Sequence, residues 1–156
     1  MRMLKKKFLL VLFLILTSCG YEAIHSKKNI VNYDFSISQL SFVGDRNINL
    51  KIKEKLNNYT QTKKSKEFIL KVITKTERLT LAKDNTGTPT DFKNTITINV
   101  EVFIENKIID NLIIVESFSY KNDSNKINLK SYEKEIKNNL AETATDKIIF
   151  KLSNIQ

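Results

Sequence analysis

Thr95-Ile96-Thr97-Ile98-Asn99-Val100-Glu101-Val102-Phe103-Ile104 (TITINVEVFI, residues 95–104) is the stretch on which the fold turns. Ile96, Ile98, Val100, Val102 and Ile104 alternate with Thr95, Thr97, Asn99 and Glu101, which is the period-two pattern of a strand with one buried and one mostly wet face. Upstream, Asp84 to Asp91 (DNTGTPTD) gathers turn-forming residues and predicts a hairpin loop. That loop leads back to Phe68, Leu70 and Val72, which alternate with polar residues except at Ile69, in a pattern that runs on through Ile73 toward Leu79 and Leu81. Downstream, Asn106-Lys107 fits a short hairpin connection into a further strand, Ile109 to Tyr120.

Two helical patterns flank these three strands. Ile48, Ile52, Leu56 and Tyr59 fall at spacings of four, four and three, one face of a helix, with Asp45 as its candidate N-cap. Before it, Phe35 and Ile37 share one parity and Leu40 and Phe42 the other, which predicts a first strand with a bulge or twist, ended by Gly44-Asp45. At the C-terminal end Tyr132, Ile136, Leu140, Ala144 and Ile148 recur every four residues, and Leu129, Ile149 and Leu152 widen the stripe. Burying its large side chains contributes roughly 1.5 to 3 kcal/mol each, enough to fix this helix on a sheet. The predicted architecture is α+β, with two helices packed on one face of a four-stranded, mostly antiparallel sheet in the order β-α-β-β-β-α.

The N-terminus carries a different signal. Arg2, Lys5, Lys6 and Lys7 precede the apolar run Phe8 to Leu16 (FLLVLFLIL), which ends at Thr17-Ser18-Cys19, the layout of a signal peptide. Nine helical residues reach only ~13 Å, too short for a hydrocarbon core of ~30 Å. Leu16-Thr17-Ser18-Cys19 resembles a lipobox, in which the leader is cleaved and the cysteine is acylated. Cys19 is the only cysteine and can make no internal disulfide. A single acyl chain gives marginal membrane binding at about 0.8 kcal/mol per buried methylene, so the several chains implied by this motif would anchor the protein stably. Gly20, which is not Asp, implies sorting to the outer membrane by the same resemblance. The division expected is a leader at 1–18, a lipidated N-terminus and tether at 19–33, and a folded domain at 34–156.

Loss of the leader's four basic residues lowers the formal net charge from +9 to +5. Nucleic acid is an unsuitable partner for an exported, anchored domain of this charge, whereas lipid phosphates and acidic protein surfaces are suitable. The single histidine, His25, falls in the tether, so neither a catalytic triad nor a histidine-based metal site is expected. Gly20, Gly44 and Gly87 form no phosphate-cradling motif. Glu133 and Glu135, expected near the start of the last helix, suit its positive end better than acid/base chemistry. No catalytic residue, metal or cofactor is therefore expected, and the chain reads as a binding or scaffolding protein.

The lipobox leading into Cys19-Gly20-Tyr21, the element order, and the stretches Thr90 to Ile104 (TDFKNTITINVEVFI) and Asn139 to Leu152 (NLAETATDKIIFKL) resemble the lipopolysaccharide-assembly lipoprotein E (LptE) family. Glu116-Ser117-Phe118-Ser119-Tyr120, followed by a polar loop and the last helix, fits the same layout. The resemblance implies a non-catalytic outer-membrane lipoprotein that plugs and supports an LptD-like outer-membrane β-barrel and assists lipopolysaccharide transport. It also implies lipopolysaccharide binding by basic residues in loops at one end. By position these are Lys83, at the start of the loop between the second and third strands, and Lys130, before the last helix, with Lys121 and Lys126 nearby. A lysine at the first position would hold phosphate as a point charge rather than by bidentate geometry. The rival expectations are a lipoprotein of another envelope assembly or adhesion system, or a periplasmic ligand-binding module.

Overall fold

The computed structural model describes residues 33–155; the expected leader, Cys19, His25 and nearly all of the tether lie outside the described residues. Four strands, β1 (Phe35–Gly44), β2 (Lys66–Lys83), β3 (Pro89–Ile104) and β4 (Lys107–Lys121), lie in the order β1-β2-β3-β4. β1 runs parallel to β2, and the β2–β3 and β3–β4 pairs are antiparallel. Helix α1 (Arg46–Leu56) connects the parallel pair, and α2 (Lys126–Ser153) closes the fold. The α+β architecture expected from the patterning is the one observed.

Each element follows from local chemistry. The parity change in β1 is a bulge, with the register to β2 shifting between Ile37 and Gln39. β1 ends at Gly44, whose φ of 104° and a carbonyl that would lie 1.9 Å from an added Cβ, that of Thr74, leave room for no side chain. Asp45 then caps α1, its Oδ1 accepting from the N–H of Asn47 at 2.9 Å and of Ile48 at 3.2 Å. Burial opposes ionisation of Asp45, but the Ile48 N–H, the Thr76 hydroxyl and the Asn47 N–H outweigh it and hold the carboxyl below its usual value. Helix α1 stops at Leu56, so Tyr59 sits beyond it in a short 3₁₀ turn and stacks on Phe35 with centroids 4.9 Å apart. Tyr33, at the expected end of the tether, also stacks with Phe35, at 6.2 Å.

The two hairpins differ in how they turn. Between β2 and β3, Asp84 Oδ1 accepts from the N–H groups of Thr86 and Thr88, and Gly87 takes φ 85°. Between β3 and β4 the turn is Glu105-Asn106, both at positive φ, joining the pair Ile104 and Lys107. It lies one residue earlier than the spacing predicts, because Lys107 is already paired in the strand.

The core lies between the sheet and the two helices. Ile96, Ile98, Val100 and Val102 are buried in β3, as the alternation predicts, beneath Ile48, Ile52 and Leu56 of α1 and Leu140, Ile148 and Leu152 of α2. Four positions of the predicted apolar patterns are exposed instead. Ile104 is exposed at the end of its strand, and Tyr132 is 44% exposed, at the end of α2 that overhangs the core. Leu79 and Leu81 are about half exposed, because β2 runs on past the core and their odd parity turns them to the face without helices.

Candidate functional site

The four lysines singled out by resemblance all belong to the end of the fold where the β2–β3 hairpin meets the start of α2. Lys83 is the last residue of β2 and pairs with Pro89; Lys121 is the last of β4 and pairs with Asp91 of β3. Lys126 opens α2. All four are exposed, and none forms an ion pair among the described residues.

Lys130 is not before the helix. Asn125 caps α2 by accepting from the N–H groups of Ile127 and Asn128, so the helix begins at Lys126 and Lys130 lies in its second turn. The polar run from Lys121 to Asn128, with only Ile127 apolar and that residue 78% exposed, carries no helical stripe from which the start could be read. The same shift corrects Glu133 and Glu135: neither is in the first turn, which holds no acidic residue, so the helix dipole does not explain them.

An open cleft of about 490 Å³ runs between the hairpin and α2. Arg78, Thr80, Thr88, Pro89 and Phe92 line its sheet side, and Lys126, Leu129, Lys130 and Glu133 its helix side. Lys121 borders a neighbouring depression with Phe118, Tyr120 and Tyr132. Thus Lys126 and Lys130 share one cleft, Lys121 lies beside it, and Lys83 stands at the base of the hairpin loop without lining either.

The cleft floor is organised by contacts that the sequence does not announce. The Arg78 guanidinium lies 3.7 Å from the centroid of the Phe92 ring, a cation–π geometry. Its Nε is 2.9 Å from Glu133 Oε1 and donates to the Tyr120 hydroxyl at 3.2 Å. Tyr120 in turn donates to Glu133 Oε1 at 2.7 Å. Burial, then the hydrogen bond to Glu133, pushes the Tyr120 hydroxyl up to about 12, so it stays protonated and donating at neutral pH. Phe92 and Tyr132 pack on the Tyr120 ring at 5.8 and 6.0 Å. Arg78 is one of only three arginines in a lysine-rich chain, the single cue in the sequence that this cation differs from the rest.

Beside this group lies an unsatisfied amide. Asn94, paired across the sheet with Arg78 and only 1% exposed, has neither side-chain atom hydrogen-bonded. Among the described residues no cluster of His, Cys, Asp and Glu could hold a metal ion, and no helix is long and apolar enough to cross a membrane. The site offers cations, aromatic rings and hydroxyls around an open cleft, which suits binding of an anionic, partly apolar group.

No protein-family model matches the chain, and no curated protein matches it. Solved structures do. The rare lipoprotein B of Shewanella oneidensis aligns at 22% identity over 74% of this chain and 93% of that one, with a TM-score of 0.56. A minor lipoprotein of Acinetobacter baumannii aligns at 16% identity over 78% of this chain and 91% of its own, with a TM-score of 0.58. An uncharacterized lipoprotein B of Nitrosomonas europaea aligns at 11% identity, over 78% of this chain and 86% of its own, with a TM-score of 0.51. At these identities the likeness is one of fold: the β-α-β-β-β-α layout of this chain is that of bacterial lipoproteins.

Proposed function

We propose that this chain is a non-catalytic outer-membrane lipoprotein of LptE type, anchored through acyl chains on Cys19, that plugs and supports an LptD-like β-barrel and binds lipopolysaccharide during its transport to the surface. The observation that carries the reading is the meeting of Lys83, Lys121, Lys126 and Lys130 at one end of a fold shared with bacterial lipoproteins. Phosphates of a glycolipid require cations, and its acyl chains require apolar surface. This end has both: Arg78, Lys126 and Lys130 in the cleft, with Phe118 exposed in the neighbouring depression and Ile127 exposed in the first turn of α2. A domain enclosed by a barrel would have no need of a deep pocket, and a lipid tether would raise its effective concentration beside such a partner.

A Lys83→Glu/Lys130→Glu double variant tests the lipid half of the proposal. Its affinity for lipopolysaccharide should fall by roughly tenfold or more, since two favourable charge contacts become repulsive. Unchanged binding removes these lysines from the site. Depletion of the protein in its native host should lower lipopolysaccharide at the cell surface, and an undiminished surface content would refute the transport role.

A further inference from the structure

We propose that Glu133 is an internal competitor for the cleft: its carboxylate occupies the place beside Arg78 that a ligand's phosphate takes on binding, and its displacement frees the first turns of α2 from the sheet. The inference rests on the anionic-lipid reading above and adds a latch to it.

Three observations converge. First, Arg78 and Glu133 both line the cleft that holds Lys126 and Lys130, so a phosphate entering it meets a site whose guanidinium is already paired with a carboxylate at 2.9 Å. Second, Arg78 is held in place independently of Glu133 by the face of Phe92, so loss of the carboxylate leaves the guanidinium oriented toward the cleft. Third, α2 is attached unevenly. From Ile136 to Leu152 it buries eight residues, whereas from Lys126 to Glu135 it buries Leu129 alone. The first part is therefore held mainly by Leu129, by the edge contact of the Tyr132 ring with Tyr120, by the hydrogen bond of Glu133 with Tyr120, and by the ion pair with Arg78. A segment with so few buried contacts lies at the low end of local stability, where exchanging one ion pair is enough to shift its docking.

The chemistry of the exchange is simple. A phosphate monoester carries more charge than a carboxylate and presents three acceptor oxygens to the guanidinium and the two lysines. Glu133, once released, swings into water on the exposed part of α2.

The test uses the full-length chain in detergent, with diphosphorylated lipid A and inorganic pyrophosphate as separate probes. Glu133→Gln keeps a hydrogen-bond acceptor for Tyr120 but removes the competing charge. Without ligand, it should speed amide hydrogen exchange across 126–135 by roughly two- to fivefold while leaving 136–152 protected, the range expected for losing one partly exposed ion pair. It should also bind lipid A several-fold more tightly than wild type, and Arg78→Gln should bind more weakly. Pyrophosphate bound as tightly as lipid A would show a phosphate site that makes no use of the acyl chains, and would overturn the lipid as the ligand. Wild-type protein that binds neither probe overturns the anionic-lipid reading itself. If wild type binds lipid A but Glu133→Gln binds no more tightly, or exchange across 126–135 does not change, the latch is refuted and the lipid reading stands.

Discussion

The Tyr120 hydroxyl, on the penultimate residue of β4, donates to Glu133 Oε1 in the third turn of α2 at 2.7 Å. Because the same hydroxyl accepts from Arg78 on β2, one phenol ties two strands to the helix. Tyr120→Phe keeps the ring in its contacts with Phe92 and Tyr132 and removes only this tie. Unfolding in urea should show a loss of about 1.5 to 3 kcal/mol, the value of a hydrogen bond to a charged group.

Alkaline pH should report the same hydroxyl. Its folded value, raised to about 12 from an ordinary 10, means that the unfolded chain gives up this proton first. Stability from Tyr120 is therefore fully present below about pH 10 and is lost as pH rises toward about 12. A urea series across that window should show a decline that is shallower in Tyr120→Phe.

Asp45→Ala should cost about 0.5 to 2 kcal/mol, since two N–H groups at the start of α1 lose their acceptor. The deficit should shrink in acid. The Asp45 carboxyl lies below its usual value in the fold, so its contribution is present above the unfolded value and disappears as pH falls through the folded one. Thermal melts at neutral pH and near pH 2 check both statements.

How far the sequence foretold this molecule depended on the range of the interaction. The bulge in β1, the Asp45 cap and the alternation of β3 are local, and period or cap chemistry alone announced them. Leu79 and Leu81 misled because alternation says that two positions share a face, not that the face is covered. The start of α2 is hidden because its first turns face solvent and lack a stripe, so Lys130 and Glu133 lie more than a turn deeper in the helix than the sequence suggests. The Arg78, Tyr120 and Glu133 cluster was illegible. Its members are 42 and 13 residues apart along the chain, and only the sheet register and helix docking bring them together.

Asn94 offers a prediction of the opposite sign. A buried amide with no partner costs free energy that an apolar side chain of similar volume does not, so Asn94→Leu should stabilise the fold by about 1 to 2 kcal/mol. A gain in the urea midpoint with an unchanged slope would agree. A loss would show that the amide is satisfied in solution by water.

A plug inside a larger membrane partner should be recoverable with that partner. The most direct measurement is to solubilise outer membranes of the native host in mild detergent, capture the full-length chain by a C-terminal tag, and identify what comes with it by mass spectrometry. Recovery of a large β-barrel protein in amounts comparable to the captured chain is the result predicted. A chain that is repeatedly recovered intact and acylated at Cys19, yet without any such barrel, would rule out the plug.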